Sequence, residues 1–165
     1  MSEPKVAIIM GSDSDYPVMA PARDVLIELG ITVETKIISA HRMPDRMYEF
    51  ANQAENNGYN VIIAGAGGAA HLPGMVASMT LLPVVGVPVS ATKMAGQDAL
   101  FSIVQMPAGI PVATVAIDNA KNAGLLAAQI IGATNLSVRD AVRQWRRKLT
   151  AEVEDRADKF DPEKR

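Results

Sequence analysis

Three short polar segments of this chain carry the residue types that proton transfer and anion binding require. Residues 11–15 supply two serines and two aspartates, residues 39–42 a histidine beside an arginine, and residues 65–71 glycines and alanines that end in the second histidine. An imidazole gives and takes a proton near neutral pH, and a guanidinium is a permanent positive charge for phosphate or carboxylate. Together the segments suit an anionic substrate that undergoes proton transfer.

The first segment predicts an anion-binding turn at the start of a helix. Ser12 and Ser14 offer hydroxyl groups beside backbone N–H groups, and Pro17 has the fixed φ that favours a first helical turn. Asp15 is expected to cap that helix or to accept hydrogen bonds from ribose hydroxyls, because a carboxylate facing a bound phosphate would repel it. A plain capping turn without a ligand is the alternative.

The second segment predicts a proton-transferring imidazole at His41, beside an anion-binding guanidinium at Arg42 and a serine at Ser39. A buried structural histidine and a surface ion-pairing arginine are the alternative. The segment comes directly after a strand-like run, and ligands bind at the carboxyl ends of parallel strands. Its place in the chain therefore favours the functional interpretation.

The third segment is rich in small residues but is not a dinucleotide-binding motif. Its Gly-Ala-Gly-Gly order lacks the third glycine at the required spacing and the acidic residue about twenty positions later. Ala66 and Gly67 instead predict a close approach of backbone N–H groups to a flat ring or a carboxylate, with His71 opening the next helix. A tight strand-to-helix turn is the alternative. The two histidines lack the spacing and the carboxylate partner of a metal site, so no metal is expected.

Alternating apolar runs and amphipathic stretches position these segments. Strands are predicted at residues 5–10, 32–38, 61–64, 83–87 and 112–117, and helices at residues 16–29, 44–57, 73–80, 97–104, 120–131 and 138–159. The runs at 61–64 and 83–87 are fully apolar and the run at 112–117 is nearly so, as in a sheet covered on both faces. The expected fold is α/β: a flavodoxin-like three-layer sandwich with a central parallel five-stranded sheet, an extended C-terminal helix and one domain over residues 1–165.

Composition excludes several other classes of function. The chain has no cysteine, a net charge of −2 and no apolar stretch of membrane-spanning length. Its first residues lack the pattern of a secretion signal, so a soluble cytoplasmic protein is expected. The basic cluster is Arg143, Arg146, Arg147 and Lys148, and acidic residues follow it at once. It predicts the solvated face of a helix, so neither nucleic acid nor a membrane is expected as a partner.

The middle of the chain is poor in charge. Between Asn60 and Ala133 the only Lys, Arg, Asp or Glu residues are Lys93, Asp98, Asp118 and Lys121. About half of each helix in so small a protein must face outward, and these few charges cannot solvate the helices predicted there. A large interface between copies of the chain is therefore expected, and the protein is predicted to be a homo-oligomer.

Four segments in this order resemble those of the bacterial N5-carboxyaminoimidazole ribonucleotide mutases of purine biosynthesis. They are GSDSD at residues 11–15, SAHRMPD at 39–45, GAGGAAHLPG at 65–74 and SIVQMPAGIPV at 102–112. The resemblance implies an octamer of flavodoxin-like subunits and an isomerase that moves a carboxylate from the exocyclic amine of a ribonucleotide to ring carbon C4, without ATP, metal or organic cofactor. It also implies that His41 is catalytic, that Ser12, Asp15 and Arg42 bind substrate, that Ser14 and Ser39 contact its phosphate, and that Ala66, Gly67 and His71 line the ring and carboxylate.

Three alternatives stand beside this resemblance. The related animal-type carboxylases add carbon dioxide directly to aminoimidazole ribonucleotide. They have lysine after the motif histidine and lack the AAHLPG segment, so Arg42 and His71 favour the mutase. A flavodoxin-type electron carrier shares the fold but would be yellow with bound flavin. A receiver-like signalling module would need an aspartate at the end of the third strand, where this chain has Ala64 and Gly65.

Overall fold

A five-stranded parallel sheet forms the centre of the computed structural model, which describes residues 3–161 and residue 163. The strands are β1 (Lys5–Met10), β2 (Thr32–Ile37), β3 (Val61–Gly67), β4 (Val84–Val89) and β5 (Ala113–Thr114), in the order β2-β1-β3-β4-β5. Each pair of neighbours runs parallel. The predicted α/β fold of the flavodoxin type is confirmed.

Helices connect the strands and cover both faces of the sheet. In the described residues a 3₁₀ turn (Asp13–Asp15) precedes α1 (Tyr16–Glu28), and the other helices are α2 (Pro44–Gln53), α3 (Leu72–Ala77), α4 (Gln97–Val104), α5 (Ala120–Gly132) and α6 (Leu136–Asp158). Proline lies in the first turn of α1, α2 and α3, where it costs no hydrogen bond and its φ is already helical. Each of the three polar segments therefore leads into a helix that has proline in its first turn.

Side chains of the sheet alternate between two cores. Val6, Ile8 and Met10 of β1 pack with α1, α5 and the start of α6, whereas Ala7 and Ile9 pack with α2, α3 and α4. β1, β3 and β4 are buried over nearly their whole length, as expected for central strands with helices on both faces. The two helix layers and the sheet make the three-layer sandwich.

The last helix leaves the body of the fold, as its sequence predicts. Val138 and Val142 are the buried residues of α6, and farther along Leu149 and Val153 are exposed. Among the described helices, of which α6 is the longest, none combines the length and the apolar character needed to cross a membrane.

Two strands, β3 and β5, end three residues away from their predicted carboxyl ends. The predicted fifth strand at residues 112–117 shortens to Ala113–Thr114 at the edge of the sheet, with Ala113 exposed, so full burial on both faces is wrong for this strand. Pro88 of β4 faces this edge, since its carbonyl accepts from the backbone N–H of Asp118, but proline has no N–H with which to extend the ladder. In contrast, β3 continues through its glycines to Gly67, so residues 65–67 are strand and not turn.

Candidate active site

The three polar segments meet at the carboxyl edge of the sheet, where the strand order reverses. β1 pairs with β2 on one side and with β3 on the other, so the loops after these strands emerge next to each other. They surround a cavity of about 460 Å³. Its lining residues are Gly11, Ser12, Ser14, Asp15, Ser39, Ala40, His41, Arg42, Ala66, Gly67, Ala69, His71, Leu72 and Ala91.

Every residue that the sequence predicted for the site lies in this lining. These residues are Ser12, Ser14, Asp15, Ser39, His41, Arg42, Ala66, Gly67 and His71. The structure brings them together, and their individual roles stay predictions. Sequence reasoning missed Ala91, which enters from the end of β4. A signal for it exists, because Ala91 follows an apolar strand at the same edge of the sheet.

A reciprocal pair of hydrogen bonds folds the loop after β1. Oγ of Ser12 accepts from the backbone N–H of Ser14 over 3.3 Å, and Oδ2 of Asp15 accepts from the backbone N–H of Ser12 over 3.2 Å. This is a capping box for the 3₁₀ turn. Asp15 does precede α1, but its carboxylate makes no cap hydrogen bond to that helix. The expected cap on α1 is therefore wrong: the side chain turns back to Ser12.

The carboxyl group of Asp15 lies in a poorly solvated position. The residue is 6% exposed, and its burial raises the pKa of the carboxyl group above the ordinary value. The backbone N–H groups of Ser12 and Gly11 and the charge of Arg42 act in the opposite direction, but burial is the largest effect. A carboxyl group with a raised pKa beside a cavity is typical of a functional site.

Arg42 ties the first two loops together. Its backbone N–H and its Nε both donate to Oγ of Ser39 over 3.3 Å, and its Nη2 donates to the carbonyl of Gly11 over the same distance. Ser39 is buried, whereas Arg42 is exposed at the cavity. The guanidinium is thus held in one direction, and among the described residues its Nη1 is not committed to a hydrogen bond.

The two histidines form a direct pair. Nε2 of His41 lies 2.7 Å from Nδ1 of His71, and the rings are nearly perpendicular, at 88°, with centroids 4.9 Å apart. One ring must donate and the other accept, so the two imidazoles share one proton. The sequence predicted both residues at the site but not this contact.

Hydrogen bonds to two aspartates hold the segment around Ala91. The backbone N–H of Ser90 donates to Oδ1 of Asp118 over 2.9 Å, and the Ser90 hydroxyl donates to the same carboxylate. Thr92 donates to Oδ2 of Asp98 over 2.6 Å, which lowers the pKa of that carboxyl group. Asp118 has a φ of 57°, a left-handed conformation that is uncommon for a residue with a side chain. The end of β4 is therefore a fixed wall of the cavity.

No three His, Cys, Asp or Glu side chains of the described residues converge on a point where a metal ion could bind. The chemical groups at the cavity are the imidazole pair, one guanidinium, one poorly solvated carboxyl group, serine hydroxyls and backbone N–H groups. They can bind an anion and move a proton.

The sequence profile of the AIR carboxylase family matches residues 5–152, which is most of the chain. The chain belongs to the AIR carboxylase family. A relative within it is the N5-carboxyaminoimidazole ribonucleotide mutase of Thermotoga maritima, 58% identical over 158 residues, which are 96% of this chain and 92% of that protein. The family resemblance predicted from the four segments is confirmed.

Members of the AIR carboxylase family also occur as parts of larger proteins. The chloroplastic phosphoribosylaminoimidazole carboxylase of Vigna aconitifolia is 53% identical over 156 residues, which are 94% of this chain but 28% of the plant protein. Among solved structures, PurE of Treponema denticola superposes with a TM-score of 0.88 at 28% identity and covers 96% of this chain and 99% of that one. The family fold is thus shared over nearly the whole chain.

Proposed function

We propose that this chain converts N5-carboxyaminoimidazole ribonucleotide to 4-carboxy-5-aminoimidazole ribonucleotide, an isomerisation of de novo purine biosynthesis. The observation that carries the proposal is the presence of the His41–His71 pair and Arg42 in one cavity. An anionic ribonucleotide that exchanges a proton needs a proton-transferring group beside a fixed positive charge. High identity to relatives named as this mutase supports the same conclusion.

The polar loops bind the ribonucleotide in this proposal. Arg42 takes the phosphate together with Ser14, and Ser39 assists because its hydroxyl oxygen accepts from Arg42 while its O–H stays available to donate. Ser12 and Asp15 contact the ribose. A phosphorylated ribonucleotide does not cross membranes unaided, so we place the activity in the cytoplasm.

His41 carries both proton transfers. It donates a proton to the exocyclic nitrogen while the bond between that nitrogen and the carboxyl carbon breaks, which leaves carbon dioxide beside C4. C4 then attacks the carbon dioxide, and His41 accepts the C4 proton, so the imidazole returns to its starting state. Ala66 and Gly67 let backbone N–H groups approach the new carboxylate, and exclusion of water keeps the carbon dioxide in place.

A second candidate function is direct carboxylation of aminoimidazole ribonucleotide, which the name of the Vigna aconitifolia relative favours. Purified protein should be given either the carbamate substrate without ATP or aminoimidazole ribonucleotide with bicarbonate, and formation of the C4 carboxylate should be followed. We expect the carbamate to react faster, and at lower substrate concentration, than aminoimidazole ribonucleotide with bicarbonate. If the protein instead preferred aminoimidazole ribonucleotide with bicarbonate, carboxylation and not isomerisation would be its function.

We also propose that the chain assembles as a homo-octamer, the number that the family resemblance implies. The charge-poor middle of the chain exposes large apolar side chains, with Leu81 91% and Phe101 60% exposed in the single subunit. Light scattering should give a mass several times 17.5 kDa. Leu81→Glu should lower that mass, whereas Leu136→Glu, at an exposed leucine outside this span, should not. A monodisperse monomer at micromolar concentration would refute the assembly.

A further inference from the structure

The bond between the two histidines determines which nitrogen of His41 is left for a substrate. An imidazole has two ring nitrogens, and Nε2 of His41 is the one that lies 2.7 Å from Nδ1 of His71. While this bond is intact, Nδ1 is the nitrogen of His41 that can exchange a proton with a bound molecule. Within residues 3–161, neither ring makes a second hydrogen bond, so no other protein group competes to orient His41.

His71 is the better anchored member of the pair. Its backbone N–H donates to the carbonyl of Ala69 over 2.9 Å, and its own carbonyl accepts from Met75 over 3.0 Å. The next residue, Leu72, is 2% exposed and belongs to the core under α3. His41 and His71 are both exposed, but His41 lies in the turn between β2 and α2, where its own N–H and carbonyl form no backbone hydrogen bond within the described residues. The backbone of His71 is therefore the more firmly placed of the two, so its ring can orient that of His41.

We propose that His71 is the positioning residue that fixes the ring orientation and tautomer of His41, so that proton transfer with the substrate takes place at Nδ1 of His41. The inference rests on the proposed function, in which His41 moves the proton. It goes beyond that function because it assigns the reacting nitrogen and gives His71 a role that acts through His41 and not through the substrate. The same logic orients catalytic bases that are held by a third group.

The amide group of asparagine or glutamine can take the place of one of the two imidazole nitrogens as a hydrogen-bonding group. Asparagine at position 71 places an amide group near the site of Nδ1, the atom that faces His41, whereas glutamine places it near the site of Nε2. His71→Asn should therefore keep kcat within a factor of about ten of the wild type. His71→Gln and His71→Leu should lower kcat by about 10–100-fold, the loss that follows when a metal-bound imidazole loses its orienting partner. KM should change little in all three variants.

Nitrogen-15 spectra of the imidazoles give a readout that does not depend on turnover. The chain has two histidines, so a histidine-labelled sample contains two imidazoles, and each His71 variant leaves the signals of His41 alone. In the solid-state spectrum of the assembled protein we expect one dominant tautomer of His41, retained in His71→Asn. In His71→Leu the ring should show a mixture of tautomers.

Two results would overturn the proposal. The first is an unchanged His41 spectrum in His71→Leu, which would mean that His71 does not set the tautomer. The second is a rise in KM without a fall in kcat in His71→Gln and His71→Leu, which would make His71 a direct substrate contact. Circular dichroism and light scattering on each variant separate these results from misfolding. If the wild type showed no mutase activity but the spectra changed as expected, the proposed function would fail while the histidine pairing stood.

Discussion

Ala91 occupies the space that a side chain at position 67 would need. A Cβ placed on Gly67 would lie 2.4 Å from Cβ of Ala91 and 3.0 Å from the carbonyl oxygen of Val89, both closer than ordinary packing allows. Glycine at this position therefore lets the end of β3 approach the end of β4. This close approach forms part of the wall of the cavity that His41 and Arg42 also line.

Gly67→Ala should consequently damage both stability and activity. Pushing the two strand ends apart should cost about 1–3 kcal/mol of the free energy of unfolding, the usual range for an overpacked core site. Turnover should fall because the cavity wall moves. Urea denaturation and steady-state kinetics measure the two effects.

The second substitution Ala91→Gly provides the control for this steric explanation. It removes the shorter of the two close contacts, so Gly67→Ala with Ala91→Gly should recover part of the lost stability. The contact with the Val89 carbonyl persists, and recovery should be incomplete. Strictly additive losses in the double variant would contradict the steric account.

Arg42→Lys should weaken substrate binding more than it slows the chemical step. Lysine keeps the charge but cannot donate from Nε to Ser39 and from Nη2 to Gly11 while it also binds a phosphate in two-pronged fashion. We expect KM to rise by about 10–100-fold with a smaller change in kcat. Arg46→Lys, on the exposed surface of α2, is the matched control and should leave both constants unchanged. An unaltered KM in Arg42→Lys would remove Arg42 from phosphate binding.

Asp15→Asn should stabilise the fold near neutral pH and lower activity. Burial raises the pKa of Asp15, so the folded protein binds this proton more tightly than the unfolded chain does. The associated stability is complete in acid and is lost as the pH rises through the raised pKa. Asparagine resembles the protonated acid, so the variant should have the higher Tm at pH 7, and this advantage should shrink as the pH is lowered. A lower Tm at pH 7 would show that the ionised carboxylate is favourable where it lies.

The contribution of Glu34 to stability should depend on pH in the opposite direction to that of Asp15. Hydrogen bonds from Lys36 and Tyr59, followed by one from Lys5, lower the pKa of Glu34 from 4.5 to about 2. Its contribution to stability is therefore present above pH 4.5 and is lost as the pH falls toward 2. Glu34→Gln should lower stability at pH 7 by less than about 1 kcal/mol, because the side chain is partly solvated. The difference from the wild type should vanish near pH 2.

Glu49→Gln is the control for Glu34→Gln. Glu49 lies on the exposed side of α2 and forms no ion pair with any described residue. Its replacement should leave the pH dependence of stability as it is in the wild type. Equal effects of the two substitutions would point to net charge and not to the ion pairs of Glu34.

The positions of the candidate site residues could be predicted because they depend on local sequence. Polar segments that follow apolar runs and precede prolines mark the ends of parallel strands, and such ends share one edge of the sheet. This reasoning found Ser12, Ser39, His41 and His71 without knowledge of strand order. It also predicted the exposed end of α6, because the charge pattern there changes within the sequence itself.

What could not be predicted depends on pairs of residues that are distant in sequence. The early end of β5 follows from the missing N–H of Pro88, which matters only once β4 and β5 are known to be neighbours. The Asp15 carboxylate could cap α1 or accept from the backbone N–H of Ser12, and the sequence does not distinguish these two hydrogen bonds. The contact between His41 and His71 depends on the conformations of two loops and on the rotamers of both side chains.

Replacement of His41 is the sharpest test of where the chemistry takes place. His41→Asn keeps approximate size and a hydrogen-bonding group near the position of Nδ1 but cannot carry a proton. If His41 makes both transfers, kcat should fall by at least ~10²–10⁴-fold, the contribution of a positioned acid–base group. Substrate affinity, measured by calorimetry on the inactive variant, should stay near that of the wild type.

His71→Asn is the matched control for His41→Asn, because the same side-chain exchange is made in the other member of the pair. It should cost less turnover, since an amide at position 71 can still hold His41 in place, whereas nothing replaces a missing proton carrier. Both variants should elute with the mass of the wild type. If His41→Asn kept near-normal turnover, or if His71→Asn were the more damaging of two well-folded variants, the proton would be carried by His71 and the assignment of the pair would have to be reversed.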